Sequence, residues 1–181
     1  GDYGIYIYGS GIDADTNYNL AIDSVSSNID VTAVIDTYGE GYLNVTDDLI
    51  EVDLAGGYSG IHLYADESVH VTEAHSKVVV DASLQGDFYA DDQGVDVTID
   101  GLYVWNEDRG IAEQTTLLDS SSEVVVDVAI DSGSARSGAD NDLINLSLEA
   151  VDLYSADETD IRYSEALVDV GITVEGNNYS D

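Results

Sequence analysis

Ile61-His62-Leu63-Tyr64-Ala65-Asp66-Glu67 recurs, with one insertion, as Val151-Asp152-Leu153-Tyr154-Ser155-Ala156-Asp157-Glu158. In both copies apolar and polar residues alternate into a pair of acids, and an apolar run and then a glycine (Gly86, Gly176) follow. Period-two alternation marks a half-buried strand, and the acids mark the turn that ends it. A second match sets Gly4-Ile5-Tyr6-Ile7-Tyr8 against Gly101-Leu102-Tyr103-Val104-Trp105. Each of these leads on to an acidic strand, Ile29-Asp30-Val31 or Val126-Asp127-Val128, and to a turn near Gly39 or Gly133. Glycines open alternating strands at Gly4, Gly41, Gly60, Gly86 and Gly101, so one strand-turn-strand pattern is used repeatedly at irregular spacing.

Repetition of this kind predicts an all-β chain folded as a parallel β-solenoid, because each rung of a solenoid buries its inward side chains only against its neighbours. At roughly 20 to 25 residues per rung the chain makes about eight irregular rungs, a rod about 40 Å long at the strand spacing of parallel sheets. A β-sandwich or jelly roll is the alternative, since it too uses short strands between Gly and Asp/Ser turns. Residues 1–181 read as one repetitive β domain or as a segment of a longer chain, with the Ser- and Gly-rich stretch from Asp131 to Gly138 as a long loop.

Composition agrees with the strand reading. The apolar content of 44% comes from Val, Ile, Leu, Ala and 13 Tyr, residues that suit a pleated surface. Proline is absent, as central strands require. The net charge is −34, with Lys77, Arg109, Arg136 and Arg162 as the only basic side chains besides histidine. Nucleic acid and anionic membranes are therefore repelled. A chain so charged needs screening by concentrated salt or bound divalent cations, which points to an extracellular setting or to a salt-accumulating halophile. Without cysteine there is neither a disulfide framework nor a thiolate metal site. Residue 1 is glycine, and no signal peptide or transmembrane run is visible, so a processed chain or a piece of a larger one is expected.

The strand-turn-strand units, with inward Val, Ile and Ala and glycine at the corners, resemble the repeats of filamentous-haemagglutinin-type β-helical adhesins. The resemblance spans most of the chain and is one of pattern. It implies a right-handed parallel β-helix, surface display and adhesion. The extreme acidity and the tyrosine content depart from that family's pattern.

Two acidic motifs bear on ions. Asp30, Asp53, Asp81, Asp96, Asp127, Asp152 and Asp169 each sit between apolar residues, which directs the neighbours inward and the carboxylates outward. Paired acids also mark the turns: Asp47/Asp48, Asp66/Glu67, Asp91/Asp92, Glu107/Asp108 and Asp157/Glu158. Carboxylates and turn carbonyls are hard oxygen ligands of the kind Ca²⁺ takes, although neither an EF-hand nor a glycine-rich nonapeptide repeat is present. Asp66/Glu67 and Asp91/Asp92 share a Tyr-Ala-acid-acid order and are expected to stack. The bland alternative is a solvated acidic face.

The three histidines, His62, His70 and His75, could hold a transition metal only if they converged beside an acid such as Glu73. Asn44, Asn145 and Asn178 begin N-x-Ser/Thr sequons and are candidate glycosylation sites. Tyr6, Tyr8, Tyr64, Tyr89, Tyr103 and Tyr154 fill rim positions or form a platform for sugars. No nucleophile elbow, phosphate loop or zinc motif occurs, and basic partners for carboxylate catalysis are scarce, so no enzyme is expected. The sequence therefore reads as a non-catalytic extracellular structural module, part of a giant surface protein or of a filament. Its partners would be copies of itself or other surface proteins. A glycan- or cell-binding adhesin is the alternative, and a carbohydrate-active β-helix enzyme the rival class.

Overall fold

A computed structural model describes residues 4–39, 41–107, 114–155 and 158–180. The first part of the chain forms β1 (Ile5–Tyr8), β2 (Ile12–Thr16), β3 (Asn19–Ile22), β4 (Val25–Asp36) and β5 (Leu43–Val45). Next come β6 (Ile50–Leu54), a single 3₁₀ turn (Gly56–Tyr58), β7 (Ile61–Ala65), β8 (Ser68–Thr72), β9 (Ala74–Gln85) and β10 (Phe88–Ala90). The third part holds β11 (Val95–Asn106), β12 (Gln114–Leu118) and β13 (Ser121–Ala139). The last holds β14 (Ile144–Ser155), β15 (Glu158–Arg162) and β16 (Glu165–Ser180). The described residues contain no α-helix, and hence no helix long and apolar enough to cross a membrane.

These strands make three sheets. One contains β1, β2, β6, β7, β11 and β14, another β3, β8, β12 and β15, and the third β4, β5, β9, β10, β13 and β16. The chain passes through them four times in the same order. Among the described residues all strand pairs are parallel, and paired residues lie 41 to 49 apart in sequence, as with Ile61 on Leu102 and Ile12 on Ile61. Such pairing differs from the antiparallel sandwich alternative. It also corrects the expected repeat of roughly 20 to 25 residues: the pairing period is about twice that, giving four passes where about eight rungs were expected. The second pass contains two acidic turns of similar sequence at different corners, Asp66/Glu67 after β7 and Asp91/Asp92 after β10, and this halves the apparent period.

Of the two internal matches, the first is structural. Ile61 and Val151 lie on either side of Leu102, one pass before it and one after. The second is not. Ile5 pairs with Ile50, which pairs with Val95, whereas Leu102 continues the row of Ile12 and Ile61. The stretch from Asp131 to Gly138 belongs to β13 and is not a loop leaving it, although the pairing register with β16 shifts between Asp131 and Arg136.

Alternation along the strands builds the interior. Val78, Val80, Leu84, Phe88, Val95, Val97, Ile99, Val124, Val126 and Ile130 form the main apolar cluster, and Ile61, Leu63, Val69, Val71, Leu102, Val104 and Leu117 form a second. The carboxylates of the apolar-Asp-apolar triplets point outward, as the alternation requires: Asp81 and Asp127 are exposed between buried neighbours. These two lie directly opposite each other on β9 and β13.

Candidate metal centre

Two turns leave their sheets at the same corner. Asp91 N–H donates to the Val45 carbonyl (3.1 Å) and Leu49 N–H to the Gln93 carbonyl (3.1 Å), so residues 46–48 and 91–93 lie side by side. The next turn stacks on them through Asn141 N–H to the Asp92 carbonyl (3.1 Å). This stacking brings one carboxylate oxygen each of Asp47, Asp48 and Asp92 within 4.8 Å of one another. Oxygens bound to a single Ca²⁺ at about 2.3 to 2.6 Å can be at most about 5 Å apart, so the three fit one ion.

Asp48 is the buried member, 7% exposed, and its Oδ1 accepts the Gln93 N–H at 2.8 Å. Burial pushes its carboxyl up from the ordinary range, the Gln93 N–H opposes the shift, and the charges of Asp92, Asp96 and Asp47 add to it. On the neighbouring sheet Glu51 faces Asp96 across β6 and β11. Both are raised, chiefly by burial and further by surrounding carboxylates, although the Asn145 amide donates to Asp96 Oδ1 at 3.1 Å. The Tyr6 hydroxyl donates to Asp47 and is pushed up to about 12, first by burial and then by that bond and the nearby acids. Asn141 donates its amide to Asp92. Lys77 is engaged by Glu123, Arg162 by Asp160, and Arg136 lies over the Tyr179 ring, so none of these cations serves the cluster.

The other predicted ion residues lie elsewhere. Asp66 and Glu67 follow β7, at the corner shared with Thr16 and Tyr18 on one side and Glu107 on the other. They do not stack on Asp91/Asp92 as expected. The similar Tyr-Ala-acid-acid order occurs at two different corners of one pass. Asp66 is fully buried, the Tyr64 hydroxyl lies 2.8 Å from both Asp66 Oδ1 and Glu107 Oε2, and Glu67 accepts from the Asn19 amide. Asp91 is exposed, and Glu158 begins β15 opposite Gln114. Asp108 and Asp157 lie outside the described residues. Glu51 and Gln93 were not singled out from sequence, Asp96 was read only as the outward centre of a triplet, and Tyr6 only as a rim or platform tyrosine. A pairing period of 45 residues would have found them, since it sets Glu51 opposite Asp96.

The histidines fall on three different sheets, on β7, β8 and β9, and do not converge. His62 Nδ1 is 2.8 Å from Asp13, and His75 Nδ1 is 2.8 Å from Ser121 Oγ. Asn44 is exposed on β5, whereas Asn145 on β14 and Asn178 on β16 use their side-chain nitrogens to bond Asp96 and the Glu175 carbonyl. Glycosylation at the last two would remove those bonds. Tyr103, Trp105 and Tyr154 form a ladder with His62, in which Trp105 and Tyr154 stack at 4.7 Å. Rings stacked on each other cover faces that a sugar would need. No protein-family model, curated protein or solved structure matches the chain.

The raised carboxyls set a pH dependence. Asp48, Glu51, Asp96 and Asp100 are each held above the ordinary range, so the folded chain binds protons more readily than the unfolded one. Their charged forms therefore oppose folding at neutral pH, and stability rises as pH falls through the folded values towards the unfolded carboxylate pKa of about 4. Asp160, lowered by Arg162, acts in the opposite sense, but on a solvent-screened surface pair. In low salt the melting temperature is expected to be higher at pH 5 than at pH 7, with the difference shrinking in molar NaCl. A melting temperature that falls on acidification to pH 5 would contradict this account.

Proposed function

We propose that the chain is a non-catalytic structural module displayed outside the cell: a β-solenoid of four turns held against its own charge by divalent cations or concentrated salt. The observation that carries the reading is the stacking of the 46–48 and 91–93 turns, which collects Asp47, Asp48 and Asp92 beside Glu51 and Asp96. Four passes in one parallel order support it further, because winding a single chain into a solenoid would produce them. Ca²⁺ in the cluster would exchange mutual repulsion for coordination and pin two turns in register.

A Ca²⁺ titration of the melting temperature in low-salt buffer tests this. Binding to the folded state alone adds about 2.7 kcal/mol at a hundredfold excess over Kd. The wild-type chain is expected to melt lowest in EDTA and to rise with Ca²⁺. Asp48→Asn with Asp92→Asn should melt higher than wild type in EDTA and lose the Ca²⁺ response, while matching it in molar NaCl. No difference between EDTA, Ca²⁺ and molar salt for the wild-type chain would refute cation support.

A glycan-binding adhesin is the second reading. Its best place is a groove of about 300 Å³ lined by Tyr6, Tyr8, Tyr58, Glu51 and Asp53. Tyr8 is 71% exposed there, so its ring has a free edge and face for a sugar to pack on.

A further inference from the structure

Among the described residues, nothing pairs with the outer edges of β1 to β5 at one end or of β14 to β16 at the other. The last pass leaves its interior column open. Val168, Val170, Ile172 and Val174 are 41–54% exposed, whereas the residues beneath them, Val124, Val126, Val128 and Ile130, are at most 2% exposed. An apolar cavity of about 170 Å³ also opens between Leu102, Leu117, Val151 and Ile161. Exposed edges are commonly blunted by lysine or proline, and neither β4 nor β16 carries one.

We propose that the occupant of each end is a second copy of this chain, stacked head to tail so that β1–β5 of one molecule continue β14–β16 of the next. The inference rests on the solenoid reading above. What supports a second copy is register. Pairing runs unbroken from Ile29 through Val78 and Val124 to Val168, and in the same way from Val31 to Val170, Ala33 to Ile172 and Ile35 to Val174. Placing the first pass of one copy on the fourth of another therefore sets apolar residue on apolar residue along the whole column. Ile12 and Ile22 of that copy fall on Val151 and Ile161, at the open cavity. A translation of this kind is a heterologous contact and does not close, so it builds a filament.

The same register guards the joint. It opposes Asp13 to Asp152, Asp30 to Asp169, and Asp36 to Glu175. Inside the molecule the intervening positions in these rows are mostly uncharged, His62 and Tyr103 in the first, Val79 and Val125 in the second, Gln85 and Asp131 in the third. Directly opposed like charges destabilise a strand pair. Association therefore waits for salt or divalent cations, and filament growth is switched by ionic conditions.

Cysteine cross-linking tests register and switch together, since the chain has no cysteine of its own. Val34 and Thr173 are exposed and occupy the same row of the first and last passes. Within one molecule they are three strand spacings apart, about 14 Å, too far for a disulfide, whereas across the joint they would be adjacent. Under mild oxidation in molar NaCl, the double variant Val34→Cys/Thr173→Cys should give a ladder of covalent multimers, and each single variant nothing beyond a dimer. In low salt the ladder should disappear, and adding Asp30→Asn and Asp169→Asn should restore it there. In sedimentation, the wild-type chain should grow with concentration in molar NaCl, and Ile172→Asp should remain monomeric. A wild-type chain monomeric at every salt and concentration, or a double-cysteine variant without a ladder in molar salt, overturns the proposal. If that chain keeps its β-rich circular dichroism and its Ca²⁺-dependent melting, the scaffold reading survives alone.

Discussion

Phe88→Ala is expected to cost about 3–5 kcal/mol, the usual range for truncating a buried aromatic ring. Phe88 is fully buried in the main apolar cluster, on a three-residue strand held from both sides. Leu43 lies opposite it on β5, and on the other side its N–H donates to Ser137 Oγ at 3.1 Å. Ser137 in turn donates to the Gly86 carbonyl at 3.0 Å. With the backbone fixed at these points, the space left by the ring cannot close by moving β10, and most of the cavity cost remains. At about 2–4 °C per kcal/mol for a chain of this size, the melting temperature should fall by roughly 6–20 °C. Phe88→Leu, which keeps most of the volume, should lose far less. A fall of under about 1 kcal/mol for the alanine variant would show that β10 does not pack inward.

Gly60→Val is expected to destabilise by about 1–3 kcal/mol or more, the cost of forcing atoms into a filled interior. Gly11, Gly60 and Gly101 form a column, the first two just before β2 and β7 and the third within β11, where each backbone lies against the next. A Cβ on Gly60 would sit 2.6 Å from the Gly101 carbonyl oxygen and closer still to Ser76 Oγ. Neither neighbour can yield freely. Ser76 is buried and donates to that same carbonyl at 2.6 Å, and Gly60 N–H is bonded to the Asp100 carbonyl at 3.0 Å. The nearby Gly57→Ala is the control, since a Cβ there meets nothing within 4 Å. Equal melting of the two variants would mean that the glycine column is not closely packed.

The difference between these two glycines is not legible in the sequence, where both stand in one Gly-rich turn. Much else was. Alternation of Val, Ile and Leu with Asp identified the strands and the inward face, because burial on one side of a pleat leaves a period of two whatever the partner strand is. Outward carboxylates at Asp81 and Asp127 followed from the same rule. The repeat length did not. Asp66/Glu67 and Asp91/Asp92 look alike as turns but close different corners of one pass, so counting acidic turns gave about half the true period.

The candidate site shows where sequence reading stopped. That the chain is all-β, strongly acidic and furnished with paired carboxylates at its turns was determined by the sequence alone, since composition and alternation are local properties. Which carboxylates meet is a matter of register between strands about 45 residues apart. Only the tertiary structure decided that Asp92 joins Asp47 and Asp48, that Asp66 goes instead with Glu107, and that Glu51 faces Asp96. The physical reason is that register is set by the summed packing of whole strands against their neighbours, and no single turn carries that information.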